Sequence, residues 1–554
     1  MSPRAQELAS PPCAAHDART GHRRIVAAAR TSTGLAVLSM LLALAGCGDV
    51  LQPEYDIQLL RPVGQDPLAG GTQVTLEAVG TGLKSEQLIA AGANPAFKIR
   101  GLNPRTTSAT SFSVTVTDAA GTVIAFGRSP RIRLLEGQVS LRILVQRLGT
   151  LAQPFEQPIV QRLAEGNVVT ALVRDPGDTQ TPGTLVPVFL GGRSLNDMRQ
   201  ELPNRPVVAY NPYLQTTVFP ALATRTATGA AVWARADGSL WFFGGRVEGP
   251  PLSLSGDTDQ IGTSQFLNVI DLGIVARYAA STPALAREGG VITEVPSALG
   301  GVMYVFGGQT LAPPAGEPTA PPTFVPIASV VKIEPAASAP GQVVLPAPFS
   351  MLAPRVGHTA TTVSVPALGA NGLVTERSDV LLFGGAAAGL PVAELLDGNT
   401  NTFVPLGVDA GPPRRDHTVV RLPDGRLLIL GGIDTAGQPL ADARIFDPLT
   451  RTFTPVALPL QTPRVGAAIA AVGQDLLVGG GQDAGKGLVP TAEVFDLATL
   501  SLVTTLPALP RVGARVASMP DGSLLLLGGR ALEGELLLPS DAVEIYRPRA
   551  LPAL

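Results

Sequence analysis

Between residues 160 and 548, short aliphatic runs end again and again in paired glycines. The clearest are "RADGSLWFFGG" (235–245), "LPDGRLLILGG" (422–432) and "MPDGSLLLLGG" (519–529). A run of four or five apolar residues bounded by turn residues predicts a strand covered on both faces. The pairs fall at Gly191-Gly192, Gly244-Gly245, Gly307-Gly308, Gly384-Gly385, Gly431-Gly432, Gly479-Gly480 and Gly528-Gly529, and the last three intervals are 47, 48 and 49 residues. Such a period marks one supersecondary unit used repeatedly. Within a unit, "PRVG" (354–357, 463–466, 510–513) or "PRRDHT" (413–418) comes first, and a strand, an Asp-Gly turn and the glycine-closed strand follow. A third strand comes next: "VVAYNP" (207–212), "NVIDL" (268–272), "VVKIEP" (330–335), "AELLD" (393–397), "ARIFDP" (443–448), "AEVFDL" (492–497) and "AVEIYRP" (542–548). Thr402-Phe403 and Thr452-Phe453 mark a fourth.

Residues 57–148 follow a different rhythm. "QVTLEAV" (73–79), "FKIRGL" (97–102), "SFSVTVTD" (111–118), "TVIAFG" (122–127) and "VSLRILVQR" (139–147) alternate apolar and polar residues between Gly, Asn, Asp and Pro. Period-two alternation predicts half-buried strands, here a small β-sandwich of immunoglobulin-like or prealbumin-like type. The whole chain is thus expected to be all-β.

Composition narrows the partners. Of 554 residues, 45% are hydrophobic and 15% charged, with a net charge of −3, which excludes a polyelectrolyte and a basic nucleic-acid binder. The amino terminus carries its own signal. Arg19, Arg23, Arg24 and Arg30 precede an apolar run, Leu35 to Gly46, too short to span a bilayer. The run closes in Leu44-Ala45-Gly46-Cys47, which resembles the lipobox of bacterial lipoproteins. The resemblance implies that 1–46 is a signal peptide, Cys47 the lipidated residue, and 47–56 a tether. The alternative is an ordinary signal peptide with an incidental cysteine. Cys13 precedes the cleavage point, so the mature chain holds one thiol and no internal disulfide. Gly48 after the cysteine implies an outer-membrane address, on its periplasmic or cell-surface face.

Four strands per unit, an Asp-Gly hairpin and a double glycine after the second strand resemble kelch repeats. The resemblance is strong over 350–548 and fades toward 160. It implies a seven-bladed β-propeller over 149–554, in which an amino-terminal strand from "TLAQPFEQPIVQR" (150–162) completes the last blade. The chain departs from the family in lacking the tryptophan near the fourth strand, where Phe403 and Phe453 stand.

Candidate chemistry is sparse. The mature chain has two histidines, His358 and His417, both at the phased position that supports packing. Copper oxidases that share the kelch fold need a Tyr–Cys crosslink, which one lipidated cysteine cannot supply, and sialidase-type propellers need an arginine triad with a tyrosine and acids. Asp257 and Asp259 are read as a solvated loop before a calcium site. No catalytic residue, metal or cofactor is assigned. The candidate ligand-binding groups are the phased arginines Arg225, Arg355, Arg414, Arg464 and Arg511, whose guanidinium groups suit carboxylates if they ring a channel mouth. The alternative is that each binds carbonyls in its own repeat. The expectation is a monomeric, non-enzymatic envelope protein, held to the membrane by its lipid, that recognises another envelope protein or a polysaccharide through the propeller face. A carbohydrate-active enzyme and a purely architectural protein are the alternatives.

Overall fold

The chain is described here by a computed structural model that covers residues 54–551, apart from internal stretches that include 155–161, 175–182, 196–206, 219–227 and 336–342. The expected signal peptide, Cys47 and most of the tether lie outside the described residues.

The amino-terminal module opens earlier than the sequence pattern places it. Glu54–Leu60 is already a strand, pairing parallel with Gln138–Leu144 and antiparallel with Ala96–Ile99. Tyr55, Ile57 and Leu59 point into the core, so the expected tether 47–56 ends in folded structure. A five-stranded sheet covers the other side, with Leu83–Leu88 at one edge, then Gln73–Ala78, Phe112–Thr117, Val123–Arg128 and Gln146–Arg147. Both sheets feed one core: Ile57, Phe97 and Ile143 meet Val74, Leu76, Phe112 and Val114.

Beyond residue 150 the described residues form a series of separate antiparallel sheets, six of four strands and one of five, with several two-stranded hairpins. One such sheet is Thr418–Arg421, Leu427–Leu430, Ala443–Asp447 and Thr452–Val456. Its second strand is buried at every residue, whereas the fourth alternates between exposed and covered. This explains the unbroken aliphatic runs, because successive side chains of one strand serve opposite faces. Leu427 and Ile429 pack with Leu381 and Phe383 of the preceding sheet, while Leu428 and Leu430 pack with Leu476 and Val478 of the following one. Burying such a side chain stabilises the stack by roughly 1.5–3 kcal/mol.

One sheet draws on distant parts of the chain. Thr150–Ala152 pairs antiparallel with Val543–Arg547, which continues into Leu524–Leu527 and Arg515–Ser518. The amino-terminal module packs against this sheet. Leu60 and Leu144 share a core with Met519, Leu525 and Ile545, and also with Phe189, Val208 and Tyr210. The Gln146 side-chain amide donates to the Ile545 carbonyl at 2.9 Å. The Arg547 guanidinium, held by Asp521, lies 5.7 Å from the centre of the Phe126 ring. Residues 53–554 accordingly form one compact unit.

Two expectations are corrected. No sheet among the described residues closes into a barrel; the fold is all-β, built from repeated open sheets of three to five strands that are antiparallel except where Glu54–Leu60 meets Gln138–Leu144, so the closed seven-bladed kelch-like propeller is not what the chain displays. The periodic pattern reports strands and turns, and it carries no information on closure. In the second repeat, "NVIDL" was expected as a third strand after an insert at 248–260. Instead Thr258–Phe266 is the third strand and Val269–Tyr278 the fourth. Polar residues in "TDQIGTSQF" hide that strand from a hydrophobic reading.

Candidate functional site

The phased arginines are the groups on which a recognition role would rest. Four of them lie inside the protein, against a binding surface. Arg355 is fully buried, and Arg414, Arg464 and Arg511 are nearly so. Each sits just before the first strand of its sheet, and Arg355, Arg414 and Arg464 reach back to the first glycine of that sheet's own pair. Arg355 Nη1 donates to the Gly384 carbonyl at 2.5 Å and the Val392 carbonyl at 3.1 Å, Nη2 to Pro391 O at 2.7 Å, and Nε to Glu394 at 2.7 Å. Arg464 repeats the pattern with Gly480 O at 3.2 Å, Thr491 O at 3.0 Å and the Glu493 carboxylate. Arg414 does so with Gly431 O at 3.3 Å, Asp442 O at 3.4 Å and the Asp442 carboxylate. Arg511 pairs with Glu544 at 2.9 Å. Arg225 lies outside the described residues.

The sequence reading missed Arg287. It donates to Gly307 O and Ser329 O, each at 2.9 Å, so it is the same element one repeat earlier. No proline precedes it in "LAREGG", and without the Pro-Arg signature only its distance from Gly307-Gly308 could have revealed it. Burial lowers the pKa of Arg355, Arg464 and Arg511 against the opposing pull of their acids, and pushes Arg287 down to about 10.

The arginine backbone completes the device. Its carbonyl accepts from the second glycine of the preceding sheet: Gly245 N to Arg287 O at 2.8 Å, Gly308 N to Arg355 O at 2.8 Å, Gly385 N to Arg414 O at 2.7 Å and Gly481 N to Arg511 O at 2.8 Å. At Gly529 the same bond goes to Leu163 O at 2.9 Å. One residue thus fastens two sheets, by side chain within its own and by carbonyl to the one before. Close approach explains the glycines. Gly384 has φ +71°, and a Cβ there would stand 2.5 Å from Arg414 O and 2.7 Å from His417 Cε1. The sixth pair is shifted by one residue from the sequence assignment: Gly479 is in a strand, and Gly480-Gly481 carry the positive φ angles of +62° and +94°.

His358 and His417 follow their arginines by three residues and are buried. His417 Nε2 lies 2.9 Å from Thr359 Oγ1, and its ring meets Phe383 edge-on at 5.1 Å. Both His358 ring nitrogens are unpartnered among the described residues. Burial, helped by Arg355 and the other histidine, takes His358 to about 3; burial, Arg414 and Arg355 do the same to His417. Both are neutral at pH 7. The acids of the Asp-Gly turns are occupied locally: Asp424 accepts from Arg426 N at 3.0 Å and Asp521 from Ser523 N at 3.0 Å. Asp259 falls in the strand Thr258–Phe266, and Asp257 lies outside the described residues. Among the described residues, no group of three or more His, Cys, Asp or Glu is placed to hold a metal.

Comparison with known proteins is narrow. The Kelch motif matches residues 413–457, a single repeat, and no curated protein matches the chain. The match covers the repeat that holds Arg414, His417 and Gly431-Gly432. It does not carry the resemblance to a kelch propeller over 149–554. With no closed propeller face and the described arginines spent on internal contacts, recognition through such a face is set aside as well.

Two outcomes follow. Arg355→Ala leaves Glu394 buried and unpaired, so denaturant unfolding should show a loss of roughly 3–5 kcal/mol; a variant as stable as the parent would show that the arginine is not a structural clamp. The histidines set an acid limb. Their folded pKa of about 3 lies below the unfolded value, so between pH 6.5 and 3 the unfolded chain binds more protons and stability falls with pH. The slope is at most about 1.4 kcal/mol per pH unit per histidine. His358→Leu should remove one such contribution in denaturation curves between pH 7 and 4, and an unchanged slope would refute it.

Proposed function

We propose that this protein is exported, carries its lipid on Cys47, and serves as a structural, non-enzymatic body of the cell envelope, monomeric and held at the outer membrane. The observation that carries the architectural half is the burial of Arg355, Arg414, Arg464 and Arg511. The cations in the best position to meet an anionic partner are consumed by carbonyls and acids of the fold. The lipid half rests on Leu44-Ala45-Gly46-Cys47 behind the basic and apolar segment. Two or more acyl chains on one cysteine would anchor stably, at about 0.8 kcal/mol per buried methylene. A strand that begins at Glu54 would leave six residues, 48–53, between the modified cysteine and the folded module. The body would then stand close to the bilayer.

Metabolic labelling with an alkyne fatty acid tests the anchor. The full-length protein should take up label and sediment with membranes, and Cys47→Ser should lose both. Labelling that persists in Cys47→Ser, or a wild-type chain without label, would refute it.

A further inference from the structure

Charge is divided unevenly along the chain. Residues 54–148, the amino-terminal module, hold ten Lys and Arg against seven Asp and Glu, a net charge of +3. Residues 149–554 hold 26 against 34, a net charge of −8. Opposite signs in two parts of one chain point to a charged surface as the partner of one of them.

Packing fixes which end of the module faces where. Leu60 and Leu144, at one end of the parallel strand pair, share a core with Met519, Leu525 and Ile545 of the last sheet. Tyr55 stands at the other end, where its ring meets Phe112 at 5.5 Å. That end collects cations from two segments. Lys98 lies opposite Asp56, and Arg100 follows Ile99, which lies opposite Tyr55. Arg131 precedes Ile132, which pairs with Thr110 beside Phe112 and belongs to the same core as Tyr55. Lys98, Arg100 and Arg131 are all exposed. Against these three, the first strand brings two acids, Glu54 and the half-buried Asp56.

The same end receives the tether. Residues 48–53 separate Cys47 from Glu54 and extend to at most about 22 Å, so a lipid on Cys47 would keep this end within reach of the bilayer surface. Near an anionic leaflet each Lys or Arg is attracted, over a screening distance of about 8 Å at physiological ionic strength, and each acid of the repeats is repelled. We propose that the Tyr55 end of the module docks on anionic phospholipid headgroups through Lys98, Arg100 and Arg131, with the acidic repeats held away from the membrane. The placement rests on the anchor at Cys47; the contact itself needs no lipid on the protein.

Vesicle sedimentation tests it on the unlipidated chain 48–554, which keeps the whole compact unit. Vesicles of phosphatidylcholine with about 30% phosphatidylglycerol should bind at least about tenfold more strongly than phosphatidylcholine alone, and about 0.5 M NaCl should remove the difference. The triple variant Lys98→Gln, Arg100→Gln, Arg131→Gln should bind the anionic vesicles no better than the neutral ones. Arg415→Gln, Arg426→Gln, Lys486→Gln changes the net charge equally at exposed sites in the fifth and sixth repeats, and should bind like the parent. The proposal fails if the parent does not distinguish the two vesicles, or if the module variant, unfolding as cooperatively as the parent, still prefers the anionic ones. It also fails if both triple variants lose binding alike. With no acyl chain present, each of these outcomes is separate from the labelling result at Cys47.

Discussion

A buried guanidinium has to be paired, and much of this structure follows from how that requirement is met. Arg355, Arg414 and Arg464 each sit where water cannot reach and find acceptors of two kinds: carbonyls freed by a glycine pair, and a carboxylate at the start of the third strand. A Cβ on Gly384, Gly385, Gly432 or Gly480 would stand 2.5–2.8 Å from a neighbouring carbonyl oxygen, whereas Gly431 is selected by its φ of +67°. The acids are required because an unpaired charge would otherwise be buried. Such pairs are not in themselves strong sources of stability, since replacement by apolar residues is often neutral or favourable. Their effect is on register: a fork of donors with fixed geometry admits one arrangement of the strand ends.

Hydrophobic burial supplies the driving force on either side of these clamps. Alternate residues of one strand feed two interfaces, so no sheet is complete without its neighbours. The amino-terminal module takes part in the same economy of surfaces, because Leu60, Leu144 and Gln146 cover the sheet that joins Thr150–Ala152 to Val543–Arg547. Sheets that share their faces in this way suit the structural role proposed for the chain.

Much of the fold was legible in the chain. Aliphatic runs such as "LLIL" and "LLLL" predicted strands covered on both faces, and the Asp-Gly dipeptides located their hairpins. The site was less legible, because periodicity looks the same for a ring of exposed arginines and a set of buried ones. A second signal was present: Glu394, Glu493 and Glu544 recur in step with Arg355, Arg464 and Arg511, and acids in phase with cations point to internal pairing. Strand Glu54–Leu60 was missed because half of it looked like a tether, and Thr258–Phe266 because its pattern is polar. How the sheets are arranged depends on long-range packing that no local pattern encodes.

The central claim is that successive sheets are fastened where a glycine amide meets the arginine carbonyl of the next repeat. Native-state hydrogen exchange at Gly308, Gly385 and Gly481 tests this most directly. The account predicts that these loop amides exchange as slowly as those of the central strands, Leu427–Leu430 and Leu524–Leu527, because opening them requires separating two sheets. Exchange as fast as at the exposed turn residues Gly389 and Gly485 would contradict it.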